Sequence, residues 1–360
     1  MRTIAVIGAA GFVGTRLVEV LYLGSVAQVR PVVRQFKSLA RLSRFELDCR
    51  MADGRDEGAL TKAFEGCDAV VNAALGDART IEGVIEPVWK ACLAAGVRRL
   101  VYLSSGSVHG QAPAQGSDET TPLSDKQWHW YNNAKVRAEW KLEQLQKTRG
   151  IELVVLRPTI VFGPRSRWIW DAANEIANGR ACLLEGGKGI CNTIYVDNLI
   201  HAIQLAIDKP SAAGKTFLVG DEETVAWRDF YAPICRHLKV PEPASVAARE
   251  MTAVCELSLV DKVRGISGMQ KVLPLIPARF KRAVKGTVTG WFEKEKPAWR
   301  LRQAVPIELS SEMNALQQCQ WRLPHTRAAE ELGYRAPMTF EEGMRRSLAW
   351  LDFAGFNLAR

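Results

Sequence analysis

A serine, a tyrosine and a lysine hold the chemistry that this sequence offers most openly. Ser104 and Ser105 end the run Arg99 to Ser105, and Tyr131-Asn132-Asn133-Ala134-Lys135 follows, its tyrosine twenty-six residues beyond Ser105. The stretch from Tyr131 to about Lys147 is expected to be helical, which puts Tyr131 and Lys135, four apart, on one face. A phenol ordinarily titrates near ~10, so acid or base work close to neutrality calls for a neighbouring cation that favours phenolate. Lys135 has the spacing to be that cation. A serine hydroxyl opposite would orient a carbonyl or an alcohol for hydride exchange with a nicotinamide, which carries the redox step itself. Surface helices often carry such a tyrosine–lysine pair, so its meaning depends on the elements around it.

The decisive element is Thr3 to Leu21, TIAVIGAAGFVGTRLVEVL. It reads as a buried strand (Ile4 to Ile7), a glycine turn, and a helix with Phe12, Val13, Leu17, Val18 and Leu21 at helical spacing. Gly8 permits the tight turn, Gly11 lets backbone approach a diphosphate, and Gly14 lets helix and strand pack closely. The helix start, at Phe12 and Val13, can then hold the anion. Val29 to Val33 reads as the second strand and ends at Arg34, with Lys37, Arg41 and Arg44 after it. An acid at that strand end would hold a ribose 2′-hydroxyl, whereas a basic residue accommodates a 2′-phosphate, so the expectation is NADP rather than NAD.

Further along, Glu46 to Cys49 reads as a third strand, with Asp53 just after it, and Ala59 to Phe64 as a helix. Ala69 to Ala74 is a fourth strand that ends in small residues, Ala73 and Ala74, where backbone must run close to a cofactor. Ile85 to Ala95 reads as a helix closed by Gly96, and Arg99 to Ser105 as the fifth strand. This alternation predicts an α/β fold, a Rossmann-type doubly wound parallel sheet covered on both faces. Past Pro164 the chain turns to substrate recognition. Helices are expected at Trp168 to Gly179 and Asp229 to Leu238, strands at Ala181 to Leu184 and Thr216 to Val219, a turn at Gly186 to Gly189, and a helix capped by Asp197 that runs through Asp208. The expected division is a dinucleotide-binding domain of residues 1–160 plus about 195–222, and a smaller, mostly C-terminal substrate domain of about 161–194 plus 223–360. Trp128, Trp130, Trp168 and Trp170 would flank the cleft between them, as an aromatic wall or as core.

At 360 residues and 47% hydrophobic content the chain can bury a large core. No apolar run is long enough to span a bilayer and the start lacks a signal-peptide pattern, which points to the cytoplasm. The eight cysteines are scattered without C-x-x-C or His/Cys clustering, so neither a metal site nor a disulfide framework is expected. The formal net charge of +9 is concentrated: residues 262–302 hold eleven basic residues against Glu293 and Glu295. Within it, Ala278 to Phe292 places Phe280, Val284, Val288, Trp291 and Phe292 near one helical face. Such a helix can lie in an anionic membrane interface or pack on the substrate domain with its lysines solvated. No nucleic-acid motif accompanies the charge.

GAAGFVG, Asp53, Asn72-Ala73-Ala74, LSSGSVHG, YNNAK, LRPTIVFGP (Leu156 to Pro164) and Tyr195-Val196-Asp197-Asn198 occur in an order and spacing that resemble the extended short-chain dehydrogenases/reductases, the NAD-dependent epimerase/dehydratase family. The likeness runs from residue 1 to about 220 and resumes near Leu332, Gly333, Tyr334 and Pro337. It implies that Ser105, Tyr131 and Lys135 are catalytic, with Lys135 also holding the nicotinamide ribose, and that Gly8, Gly11 and Gly14 form the diphosphate turn. It further implies that Asp53 contacts the adenine, that Pro158 and Thr159 lie near the nicotinamide, and that two subunits form a homodimer. Departures narrow the reaction. The Asp-Glu pair of the sugar-nucleotide dehydratases is Gly106-Ser107 here, and the phosphate-clamping arginine of many epimerases is replaced at Cys191-Asn192. Ser107 and His109 are candidate substrate contacts, although His109 could simply cap a loop. The expected activity is NAD(P)-dependent interconversion of an alcohol and a ketone on an apolar or lipid-like small molecule. The alternative is a nucleotide-sugar epimerase or reductase with tightly bound NAD.

Overall fold

The computed structural model describes residues 2–148, 150–247 and 309–356. Its strands are β1 (Thr3–Ile7), β2 (Gln28–Val33), β3 (Arg50–Met51), β4 (Ala69–Asn72), β5 (Arg99–Leu103) and β6 (Glu152–Pro158), then β7 (Ile160–Phe162), β8 (Cys182–Leu184), β9 (Thr193–Tyr195), β10 (Lys215–Val219) and β11 (Ala244–Val246). Seven of them form one sheet in the order β10-β6-β5-β4-β1-β2-β3. Every pairing in it is parallel, with Ile4 opposite Val29 on one side of β1 and opposite Ala69 on the other. The strand order reverses between β1 and β4, and in an open sheet of this kind ligands bind beyond the carboxyl ends of the strands at that crevice.

Buried strands need apolar cover on both faces, and the helices supply it. On one face α1 (Phe12–Leu23) and α7 (Val196–Asp208) bury Leu17, Val18, Leu21, Ile203 and Ile207 against Ile4, Val6 and Val101. On the other face α2 (Glu57–Phe64), α4 (Ile85–Ala94) and α5 (Trp130–Gln146) bury Phe64, Val88, Trp89 and Leu142 against Ile7, Val70 and Tyr102. A third apolar cluster gathers Phe162, Ile169 of α6 (Arg167–Ala177), Trp227 and Phe230 of α8 (Trp227–Leu238), and Met344 and Leu351 of the C-terminal helix at Phe340–Phe353.

The C-terminal part returns to the short strand β8. β11 pairs with it in parallel, Ala244 opposite Cys182. The helix at Ser311–Gln317 delivers Gln317, whose side chain accepts from Leu184 N at 2.7 Å and donates to Cys182 O at 3.1 Å. Asn192 clamps the chain just beyond: its Nδ2 donates to Trp321 O at 3.1 Å and its Oδ1 accepts from Leu323 N at 2.9 Å.

Two sequence expectations need correction, and the structure adds one helix. Glu46 to Cys49 is not a strand: Cys49 N bonds Leu47 O in a tight kink and Asp48 is drawn to Arg30, so pairing with β2 starts only at Arg50. Residues 78–83 form a further helix, α3 (Ala78–Gly83), capped by Asp77 through Thr80 N. Asp197 does not cap α7, whose N-cap is Tyr195; its carboxylate instead grips the Arg16 guanidinium through Nε and Nη2, at 2.6 and 2.9 Å. The basic segment 262–302, including 278–292, lies outside the described residues.

Candidate active site

The amino-terminal turn has the shape of a diphosphate cradle. Gly8 has φ of +78°, and a Cβ there would stand 2.6 Å from Ala73 O, so β4's small-residue exit and the turn are in direct backbone contact. At Gly14 a Cβ would sit 2.2 Å from Gly8 O. Both positions exclude any side chain. Gly11 is exposed, and as the N-cap of α1 it offers no side-chain acceptor to the first-turn N–H groups at Phe12 and Val13. Those donors, at the positive end of a helix, are what a diphosphate takes up, so the residues present fit a dinucleotide. Arg34 is exposed at the end of β2, and its charge acts on Asp53. Asp53 is held by Arg55 through both carboxylate oxygens at 3.0 Å and is lowered to about 2, chiefly by that pairing. Arg34 and Asp53 thus form one charged corner beyond β2 and β3.

Ser105, Tyr131 and Lys135 come together at the carboxyl end of β5. Ser105 Oγ accepts from Ser107 N at 3.2 Å and lies 2.9 Å from Ser107 Oγ. The Ser105 hydroxyl also acts on the Tyr131 phenol, favouring its ionised form. Lys135 Nζ lies 5.9 Å from the centre of the Tyr131 ring, on the same face of α5, and donates to Leu103 O at 2.7 Å.

The electrostatics depart from the simple expectation. Burial pushes the Tyr131 phenol up to about 12, against the Ser105 hydroxyl, which pulls it down. Burial also lowers Lys135 to about 8, while the nearby Glu139 carboxylate raises it.

A buried polar network backs this group. Glu139, one turn beyond Lys135, receives Arg157 of β6 through Nε at 3.1 Å and Nη2 at 2.7 Å, and also accepts from the Ser104 hydroxyl. Arg157 Nη1 reaches His109 Nε2 at 3.2 Å. His109 is therefore fixed on an arginine rather than capping a loop, and burial followed by the Arg157 charge lowers it to about 4. Thr159, directly after β6, has a buried hydroxyl without a partner among the described residues, next to Pro158 at the strand end. Trp128 and Trp130 flank the site through His129, and the Trp130 ring lies edge-on to Tyr131 at 5.9 Å. Trp168 and Trp170 do not join them: they pack on Trp227 and on Trp350 and Phe356.

Three site residues escape motif reading. Gln111 Nε2 donates to Glu312 Oε1 at 3.0 Å, Gln111 Oε1 accepts from the buried Asn132 Nδ2 at 2.9 Å, and His129 Nε2 stands 3.7 Å from Glu312 Oε2. His129 had a signal, two residues before Tyr131. Glu312 had none, since only the return of the C-terminal chain to β8 brings it near.

The description of the NAD dependent epimerase/dehydratase family matches residues 4–220, more than half of the chain. The chain belongs to this family. Members similar to it include a UDP-glucose 4-epimerase of Vibrio cholerae, 27% identical over 67% of this chain and 77% of the relative. A 3beta-hydroxysteroid-dehydrogenase/decarboxylase isoform 1 of Arabidopsis thaliana is 23% identical over 96% of this chain and 79% of the relative. A dTDP-glucose 4,6-dehydratase of Streptomyces venezuelae, solved with NAD bound, shares the fold with a TM-score of 0.70 at 18% identity, covering 99% of this chain. Membership makes the chain an NAD-dependent enzyme of the epimerase, dehydratase and dehydrogenase kind. NAD, rather than the NADP expected from Arg34, is the cofactor that these comparisons carry.

Proposed function

We propose that this protein interconverts a secondary alcohol and a ketone on an uncharged, apolar small molecule. The observation that carries this reading is the meeting of Ser105, Tyr131 and Lys135 at the carboxyl end of β5, across the switch-point crevice from the Gly8–Gly14 turn. When bound, the nicotinamide supplies or accepts the hydride. Ser105 orients the substrate oxygen, the Tyr131 hydroxyl gives it a proton or takes one from it, and the Lys135 ammonium, anchored on Leu103 O, retains donors for a ribose hydroxyl. Phe12 and Val13 N–H groups receive the diphosphate, Ala73 and Ala74 border it, and Pro158 and Thr159 border the nicotinamide. Ser107 completes the substrate side, and His109, bonded to Arg157, is the second candidate contact there.

Two features support an uncharged substrate. Cys191, where an epimerase clamp arginine would stand, is buried, and Asn192 is consumed in holding Trp321 and Leu323. Gly106 and Ser107 provide no extra carboxyl acids for dehydration. The likeness to a UDP-glucose 4-epimerase supports a second reading, internal epimerisation of a nucleotide sugar with NAD retained. A panel of hydroxysteroids and UDP-sugars assayed with NAD and NADP separates them: cofactor-coupled absorbance change on a hydroxysteroid is expected, whereas UDP-sugar conversion without net redox change would establish the second reading.

A preference for NADP would rest on Arg34. Arg34→Asp is expected to move the NADP-to-NAD ratio of kcat/KM towards NAD by about tenfold or more, the loss of one charged contact to a 2′-phosphate. An unchanged ratio would leave NAD as the working cofactor. Among the described residues no helix is long and apolar enough to cross a membrane. A cytoplasmic homodimer that touches membranes through 278–292 is the accompanying proposal. Flotation with anionic liposomes at low salt tests the contact, and a chain that stays unbound there would remove it.

A further inference from the structure

The Ser105–Tyr131–Lys135 constellation is built from the first half of the chain, yet one carboxylate beside it comes from far along the sequence. Glu312 stands in the first turn of the helix at Ser311–Gln317. That helix is fastened by Gln317 to Leu184 and Cys182 of β8, which fixes where its first turn points. From there Glu312 takes two different partners that flank Tyr131. Gln111 donates to one oxygen at 3.0 Å, and the His129 imidazole lies 3.7 Å from the other. Gln111 in turn holds Asn132, the residue next to Tyr131, which is 1% exposed. His129 is the N-cap of α5, and its ring stands edge-on to the Tyr131 ring at 6.3 Å.

We infer that Glu312 is a positioning residue of the Tyr131 site, fixing the start of α5 through Gln111 and His129 and bringing a carboxylate from the C-terminal chain to it. This inference rests on the proposed acid–base role of Tyr131. The charged and titratable groups facing that phenol are few: Lys135 and His129 from α5, the buried Tyr102 from β5, and Glu312 from the C-terminal helix. Glu139, deeper on α5, is paired with Arg157. Glu312 is thus the one carboxylate among the described groups that opposes a phenolate at Tyr131. An anion here favours the protonated tyrosine, which is the form that donates to a carbonyl.

The test needs no identified substrate. Tyrosinate absorbance of the full chain is titrated with pH, with and without saturating NAD, and the Tyr131 signal is isolated as the difference between a chain and its Tyr131→Phe counterpart. Glu312→Gln, which keeps size and one hydrogen-bonding oxygen for Gln111, is expected to lower the Tyr131 midpoint by about one pH unit, the scale of one nearby charge. Glu312→Asp is expected to restore it at least in part. A midpoint in Glu312→Gln equal to that of the unmodified chain, with circular dichroism unchanged, would overturn the inference. The proposed function fails separately, if Tyr131→Phe retains full turnover.

Discussion

Tyr131→Phe is expected to lower turnover by about 10²- to 10⁴-fold, the usual contribution of a positioned proton donor, while leaving dinucleotide binding nearly intact. The reasoning is local. The phenol hydroxyl is the part of the residue on which Ser105 acts, whereas the ring itself packs at the margin of the core. Removing one oxygen therefore deletes the proton carrier without opening a cavity. Steady-state kinetics beside a fluorescence titration of reduced cofactor checks both halves of the statement. Full turnover in the variant would exclude Tyr131 as acid or base. Ser105→Ala should have a smaller effect, because Ser107 Oγ lies 2.9 Å from Ser105 Oγ and can still present a hydroxyl nearby.

Glu139→Ala is expected to be the most damaging single change to stability. Arg157 and Glu139 are both almost fully buried, 6% and 8% exposed, and the carboxylate receives the guanidinium side-on. Removing it strands a charge in the interior, at a cost of about 3–5 kcal/mol. Ser104 loses its acceptor in the same step. Thermal unfolding should fall by roughly 10 °C on the scale of domains of this size. The double variant Glu139→Met/Arg157→Leu should recover much of the loss, because replacing both charges with apolar groups removes the stranded ion. If the single variant melts with the unmodified chain, the pair is not shielded as described. The single variant also tests a link to chemistry. The Glu139 charge raises Lys135 against the lowering effect of burial, so its loss should lower the pH above which cofactor binding weakens.

Acid should act on this network from another side. His109 has a folded pKa lowered to about 4, below its ordinary value of 6.5, so the neutral ring belongs to the folded state. Its contribution to stability is whole above about 6.5 and is lost as pH falls from there towards 4. Denaturant midpoints measured across that window should decline less steeply in His109→Gln. Equal slopes would show that the ring is not held neutral by burial and Arg157.

The sequence carried the sheet well because its strands are short apolar runs that end in glycine or small residues, and each alternates with a helix. Gly8, Gly11 and Gly14 were legible for a stronger reason: the contacts a Cβ would make at Gly8 and Gly14 leave no alternative residue. Ser105, Tyr131 and Lys135 were legible as a set because strand β5 and helix α5 are consecutive elements of the sheet's second half. What pattern could not give was side-chain direction. Lys135 and Tyr131 share a face as spacing required, yet the ammonium turns to Leu103 O, which depends on the depth of burial rather than on the helical period. Asp197 looked like a cap because acids favour helix starts, but a distant arginine on α1 took its carboxylate instead. Glu139 and Glu312 carry no local pattern at all, and Arg157, although inside the LRPTIVFGP motif, gives no sign there of its partner, since each acts through a contact that only folding supplies.

The seat on Cys182–Leu184 has a consequence for how such a chain can change. The strand at 244–246 leaves from that seat and Gln317 brings the polypeptide back to it, so both anchorages are secured independently of whatever joins them. A substitution of Gln317 would therefore loosen the carboxylate at 312 from its register with the tyrosine that it faces, although the two residues sit on separate helices.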